Sequence, residues 1–351
     1  MEKPIDKILF EKRNIPINNS FNAVRFVCCL IVIIRHCFDL NNLTFPLLFL
    51  LDSHVAVCVF FILSGFWIFK SYLASESVLD FFLKRLRRLY PLYFFTILVY
   101  SIVCSFISEL SINEYFLSFD LYKYIFWNLL TLNFVHPSLP GVFVTAPFTS
   151  AVNGALWTIK LEVAFYLILP VFIFIMKKLK TINKCIFFLG GIYVLSIVYR
   201  LVIPYISEFL GIGDSLRHQL PAYICYFVSG MVGYIFWNKI HNIIDILLIP
   251  AIFFLIIHYI TGFEFVLPIT LSIIVFWISI RLTFLYRIGR PVDYSYAMYL
   301  CHFPMIQILI EKGFFRYSFV LSVVLIISYS FLFAFGSEKY IQVYFNKQKT
   351  I

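Results

Sequence analysis

Apolar residues come in blocks from residue 21 to residue 336, separated by short polar stretches. A helix needs about 20 apolar residues to cross a bilayer, so each block predicts one membrane span. The blocks fall near residues 21–40, 54–72, 91–108, 155–176, 184–205, 220–237, 243–260, 264–281, 292–311 and 317–336. The pattern predicts an all-α polytopic membrane helix bundle of about ten transmembrane helices.

Short loops rich in Lys and Arg mark the cytoplasmic side of a membrane protein. With the N-terminus inside, the cytoplasmic segments are the N-terminus, 70–90, 177–184, 238–242, 281–291 and the C-terminus, and they carry 20 of the 28 Lys and Arg residues. The outer segments carry only Lys123, Arg217, Lys312 and Arg316, while Arg25, Arg35, Lys160 and Arg200 fall inside spans. Both termini are therefore expected in the cytoplasm. The chain divides into a cytoplasmic N-terminal segment (1–20), a membrane domain (21–336) and a cytoplasmic tail (337–351). The apolar stretch LYKYIFWNLLTLNFV (121–135) is short and holds Lys123, Asn128 and Asn133. Counting it as an eleventh span would turn the KKLK of 177–180 outward, so it is expected to be re-entrant or interfacial. The N-terminal segment lacks the apolar core and small-residue cleavage site of a signal peptide, so the first span is expected to remain in the mature protein.

Composition excludes a soluble protein: 62% of residues are hydrophobic, 13% are charged, and the mean hydropathy is +0.92. Soluble domains carry about 25% charged residues. The net charge of +10 fits loop topology. Without a basic stripe on a polar domain it does not indicate nucleic acid. The eight cysteines lie mostly inside apolar runs and form no C-x-x-C pair, so no zinc site or disulfide framework is expected.

Four groups of polar residues interrupt the apolar pattern. Arg25 and His36 stand eleven residues apart, within 20° of a whole number of helical turns and roughly 16 Å apart along one stripe. A charged side chain at the bilayer centre costs roughly 2.5–3.5 kcal/mol, which marks such residues as functional or as packing glue. Asp39, one turn beyond His36, is placed to orient its ring, and Arg35 lies off the stripe, with Glu162 or Asp39 as its expected partner. Lys84, Arg85, Arg87 and Arg88 precede Pro91, read as the start of a span. Arg85 and Arg88 share a helix face and suit either anionic lipid or a phosphate. Glu162 sits about a turn and a half into its span, either functional or ion-paired with Arg35 or Arg200. His302 lies ten residues into a later span, at a depth like that of His36, which suits proton handling.

Five patterns, in order, resemble the acyltransferase-3 family of integral-membrane O-acyltransferases. They are Arg25 to His36 in the first span, VFFILSGFWI (59–68), Arg85 and Arg88 before Pro91, WTIKLEVAFY (157–166) and SYAMYLCHFP (295–304). The chain departs from the family at Cys58, where an acidic residue is common, and at Glu338, which is followed by Lys339 and Tyr340 instead of completing an E-x-P pattern.

The resemblance implies a ten-span bundle in a bacterial inner membrane that transfers an acyl group, usually acetyl, from acetyl-CoA to a sugar hydroxyl. It implies catalytic roles for His36, Glu162, His302 and Asp39, and cation contacts to the donor phosphates from Arg25, Arg85 and Arg88. Trp157 and Tyr299 would contact the sugar. The acceptor would be a polysaccharide repeat unit or lipid-linked sugar, such as an O-antigen or capsule precursor. No metal or prosthetic group is implied. Membrane lipid is a partner, and an extracytoplasmic partner in place of the hydrolase-like domain that many members carry after the bundle would be either separate or unnecessary. The acyl group would pass directly to an acceptor that reaches His36, or cross on a covalent carrier. The competing reading is a proton-coupled transporter or flippase, since ten spans with buried ionisable groups fit that class too.

Overall fold

The computed structural model describes residues 5–9, 11, 13–211, 216–290 and 292–342. Among them every regular element is helical: α1 (Ile5–Leu9), α2 (Phe21–Leu40), α3 (Ser53–Leu73), α4 (Val78–Val103), α5 (Ile112–Leu117), α6 (Phe119–Leu129), α7 (Trp157–Leu179), α8 (Ile182–Leu210), α9 (Leu220–Ile235), α10 (Trp237–Thr261), α11 (Leu267–Arg281), α12 (Ser295–Glu311), α13 (Phe314–Tyr317) and α14 (Phe319–Ser337). Most of the tail read at 337–351 lies outside the described residues. In lipid a helix satisfies its own backbone groups, which is why an apolar chain of this kind folds without strands.

All ten blocks read as spans are helical. Six helices, α3, α4, α7, α8, α10 and α14, are long and apolar enough to cross a membrane. Two of the others, α9 and α11, are shorter apolar helices. Several ends differ from the reading. The helix read as starting at Pro91 begins at Val78 and carries the basic cluster on its early turns. Hydropathy marks only the apolar part, whereas Lys, Arg and Leu are good helix formers. The segment read as a loop at 238–242 is also helical, since Phe236 alone separates α9 from α10. Helix α6 has eleven residues, about 16 Å, roughly half the thickness of a hydrocarbon core. The left-handed Thr131 follows it, so the 121–135 stretch holds no single helix long enough to cross a bilayer. Asn128 serves the turn at Thr131: its amide donates to Tyr124 O and His136 O, while Tyr93 donates to its carbonyl.

The chain forms two compact units, each assembled from separated segments. The first comprises Met1–Arg25, Val57–Phe82 and Leu161–Arg290. Within it α3 and α9 cross with their backbones touching. A Cβ on Gly65 would lie 2.0 Å from Phe227 O, and one on Gly230 would lie 2.0 Å from Ile62 O. Small residues at a crossing are how membrane helices gain packing contact. Phe21, Phe66, Trp237 and Phe276 pack round this crossing with ring centroids 5.1–6.4 Å apart. Arg200, half-buried in α8, pairs with Glu264 at 2.8 Å and donates to Ala222 O.

The second unit comprises Phe26–Ala56, Leu83–Lys160 and Pro291–Ile351. Its centre is α12, which packs on α14 and is buried along most of its length. Side chains from around the unit bond to its backbone: Tyr100 to Cys301 O, Asn153 to Leu300 O and Cys29 to Ser295 O. Gln307 of α12 donates to Thr149 O and Ala151 O, which anchors the loop before α7.

Candidate active site

Two histidines 266 residues apart in the chain meet in the second unit. His36 Nδ1 lies 2.8 Å from His302 Nε2, with the ring planes 3° apart. Atoms of stacked faces would sit at a van der Waals distance of about 3.5 Å or more, so these rings meet edge to edge in nearly one plane, as a hydrogen bond requires. His302 is fully buried and its Nδ1 lies 2.7 Å from Tyr299 O. His36 is half-buried and its ring makes no other hydrogen bond among the described residues.

His36 also lines a cavity of about 610 Å³, the size of a small-molecule site. Asp39, Asn42, Thr44 and Thr149 bring polar groups to its wall, and Phe148 and Phe303 bring aromatic faces. Phe303 stands edge-on to His36 at 5.3 Å and 78°. Gly154 makes room for it, since a Cβ there would lie 2.8 Å from Phe303 Cζ. Asn42 has left-handed φ of +52° and donates to Pro147 O, which joins the two loops at the cavity rim.

The other ionisable residues separate into local pairs. Arg35 Nε binds Asp39 Oδ1 at 2.8 Å, so Asp39 is the partner of Arg35. The group on His36 Nδ1 is His302. Glu162, in the first unit, accepts from Ser64 Oγ at 2.7 Å and Tyr166 OH at 2.9 Å. Arg200, the expected ion-pair partner in the same unit, is paired with Glu264. Ser64 belongs to the VFFILSGFWI stretch and Tyr166 to WTIKLEVAFY, so two of the sequence patterns close on one carboxylate.

Arg25 donates to Asn22 Oδ1 at 3.2 Å, and its guanidinium lies 5.9 Å from the Trp67 ring. Lys70 approaches the same indole at 4.8 Å. Trp67 Nε1 is buried with no acceptor among the described residues. On α4, Arg85 is half-buried and Arg88 is exposed. The two residues expected to contact sugar do not line the cavity. Trp157 opens α7. Tyr299 is buried and its hydroxyl donates to Ala155 O at 3.1 Å, which fixes the turn before α7.

Sequence reading missed Asn42, Thr149, Asn153, Gly154 and Phe303. Only Asn153 and Gly154, just ahead of the WTIKLEVAFY stretch, and Phe303, beside His302, stand close enough to a recognised pattern to have been found. All eight cysteines are buried and free. Among the described residues no cluster of three or more His, Cys, Asp or Glu is placed to hold a metal.

Residues 18–338 match the model of a family described as an acyltransferase domain. The chain is 29% identical over 332 residues to an "O-acetyl transferase" of Shigella phage Sf6, which covers 90% of this chain and 93% of the relative. It is 25% identical over 238 residues to "Nodulation protein 10" of Rhizobium leguminosarum bv. viciae, covering 65% and 62% of the two chains. No solved structure matches.

Proposed function

Because the chain belongs to the acyltransferase-3 family and is a multi-pass acyltransferase, we propose that it moves an acyl group, acetyl foremost, from acyl-CoA to a sugar hydroxyl of a cell-surface polysaccharide or its lipid-linked precursor. The observation that carries this reading is the half-buried His36 ring on the wall of the 610 Å³ cavity. A general base must come within hydrogen-bond reach of the proton it removes. This cavity offers such a base beside hydroxyl, amide and aromatic groups, the set that recognises a sugar.

The proposed setting is a bacterial inner membrane, with ten spans and both termini cytoplasmic. In that orientation the end of α2 that bears His36 and Asp39 approaches the outer face, where the acceptor is. The acyl-CoA phosphates are met from the cytoplasm by Arg25 with Lys70, and by Arg85 and Arg88. Arginine forks suit phosphate oxygens, and the spare N–H of Trp67 adds a donor beside Arg25. Glu162 is proposed as a second titratable group of the reaction, held in place by Ser64 and Tyr166.

The test is release of CoA from acetyl-CoA by the purified protein with a candidate glycan, paired with ester analysis of the surface glycan in cells with and without the protein. One hydroxyl should lose its ester when the protein is absent. An unchanged glycan together with no acceptor-dependent CoA release would overturn the proposal.

A further inference from the structure

The reading of His36 as base leaves open which of its nitrogens reacts, and the hydrogen bonds behind the ring decide it. A carbonyl oxygen only accepts, so the 2.7 Å contact to Tyr299 O places a proton on His302 Nδ1. His302 is fully buried, and no carboxylate hydrogen-bonds to its ring among the described residues. A buried charge without a partner is costly, so His302 is neutral and its Nε2 carries a lone pair. That lone pair faces His36 Nδ1 at 2.8 Å with the rings nearly coplanar. His36 Nδ1 must therefore hold the hydrogen, and a neutral imidazole then has its free lone pair on Nε2.

Resting on the acyltransferase reading, we infer that His302 is a positioning residue that holds His36 as the Nδ1–H tautomer, so that Nε2 is the atom that takes the acceptor's proton. In the step, the sugar oxygen bonds to the thioester carbonyl carbon as its proton passes to Nε2. The C–S bond then breaks, and the CoA sulfur leaves with that proton from Nε2. Between the two events His36 is an imidazolium. Its Nδ1–H still donates to His302 Nε2, now as a charge-assisted hydrogen bond, which is the stronger kind.

His302 is thus neither a second base nor a stage in a proton chain. Both of its ring nitrogens are committed, and it has no exposure to solvent.

The experiment uses the full-length protein in lipid, with ¹⁵N-labelled histidine. The signals lost in His36→Ala identify its ring. In the wild type they should show a protonated Nδ1 and an unprotonated Nε2. In His302→Phe, which keeps an aromatic ring but removes the acceptor, the His36 signals should change to the Nε2–H form. A wild-type His36 already protonated on Nε2 overturns the inference whatever the activity, whereas full turnover by His36→Ala overturns the functional reading whatever the tautomer. In kinetics, His302→Phe should lower kcat by roughly 100-fold, within the usual range for general-base catalysis, with both KM values little changed. His302→Gln, whose amide oxygen reaches the place of Nε2, should recover most of the loss. Equal loss in both variants, or loss seen only in KM, would overturn the positioning role.

Discussion

Asn153 Nδ2 lies 2.8 Å from the carbonyl oxygen of Leu300, the carbonyl that Pro304 leaves without a helical donor. Proline has no N–H, so a proline inside a helix strands the carbonyl four residues earlier. Asn153 restores the bond while its own Oδ1 accepts from Ala155 N at the turn that leads into α7. Asn153→Ala should destabilise the protein by about 1–3 kcal/mol, the penalty for an unsatisfied buried polar group. Denaturant unfolding in a fixed detergent measures this. In a Pro304→Ala background, where the helical N–H returns, the same substitution should cost less. Equal losses in the two backgrounds would show that the Leu300 carbonyl is not what Asn153 serves.

His36→Ala should abolish acyl transfer, a loss of about 100-fold or more, while protein level and membrane insertion stay normal. The ring lies on the cavity wall and its backbone sits within an unbroken helix, so removing it leaves the fold without a new unpaired charge. Initial rates in lipid, normalised to folded protein, give the measurement. Full acylation by the variant would remove His36 from the chemistry.

How much of this site was legible in advance follows from the range of each contact. The Arg35–Asp39 pair is one turn long, and helical phase alone made it a candidate. The stripe carrying Arg25 and His36 was legible for the same reason. The meeting of His36 with His302 was visible only as a shared depth, because periodicity locates a residue along a span but not which span stands beside it. Ser64 and Glu162 are 98 residues apart, and a serine in an apolar helix gives no local sign of its partner. The fold class was easier to read, since lipid as solvent demands long apolar helices. Helix ends such as Val78 were not, because α4 begins in its charged turns.

Arg25→Ala and Lys70→Ala should each raise the apparent KM for acyl-CoA by roughly tenfold, the equivalent of losing one hydrogen bond to a charged group at about 1.5–3 kcal/mol. Both cations approach the Trp67 ring, which is why they are tested together. Arg85→Ala/Arg88→Ala tests the α4 cations in the same assay. An unchanged KM combined with altered membrane orientation would make the basic residues topology anchors instead.

Gly154→Ala should lower kcat by up to about 100-fold, the scale of a 1 Å misplacement in an active site. The new Cβ would lie 2.8 Å from Phe303 Cζ, and Phe303 is the ring packed edge-on against His36. Phe303→Leu should relieve the clash, so the double variant should be more active than Gly154→Ala alone. If it is no better, the glycine is required for the turn and not for the space.

The orientation of the bundle depends on α6. It has eleven residues and a left-handed Thr131 after it, which is the reason to read it as re-entrant; if it crossed instead, every later segment would change sides. Because all eight native cysteines are buried, one added surface cysteine gives a clean readout. Asn113 and Lys178 are exposed positions on either side of this element. An impermeant maleimide should label Asn113→Cys in intact spheroplasts, and should label Lys178→Cys only after the membrane is opened. Labelling of both from outside would mean that the 121–135 stretch crosses the bilayer. The positive loops after α7 would then lie on the outer face, against the expectation from the charge rule.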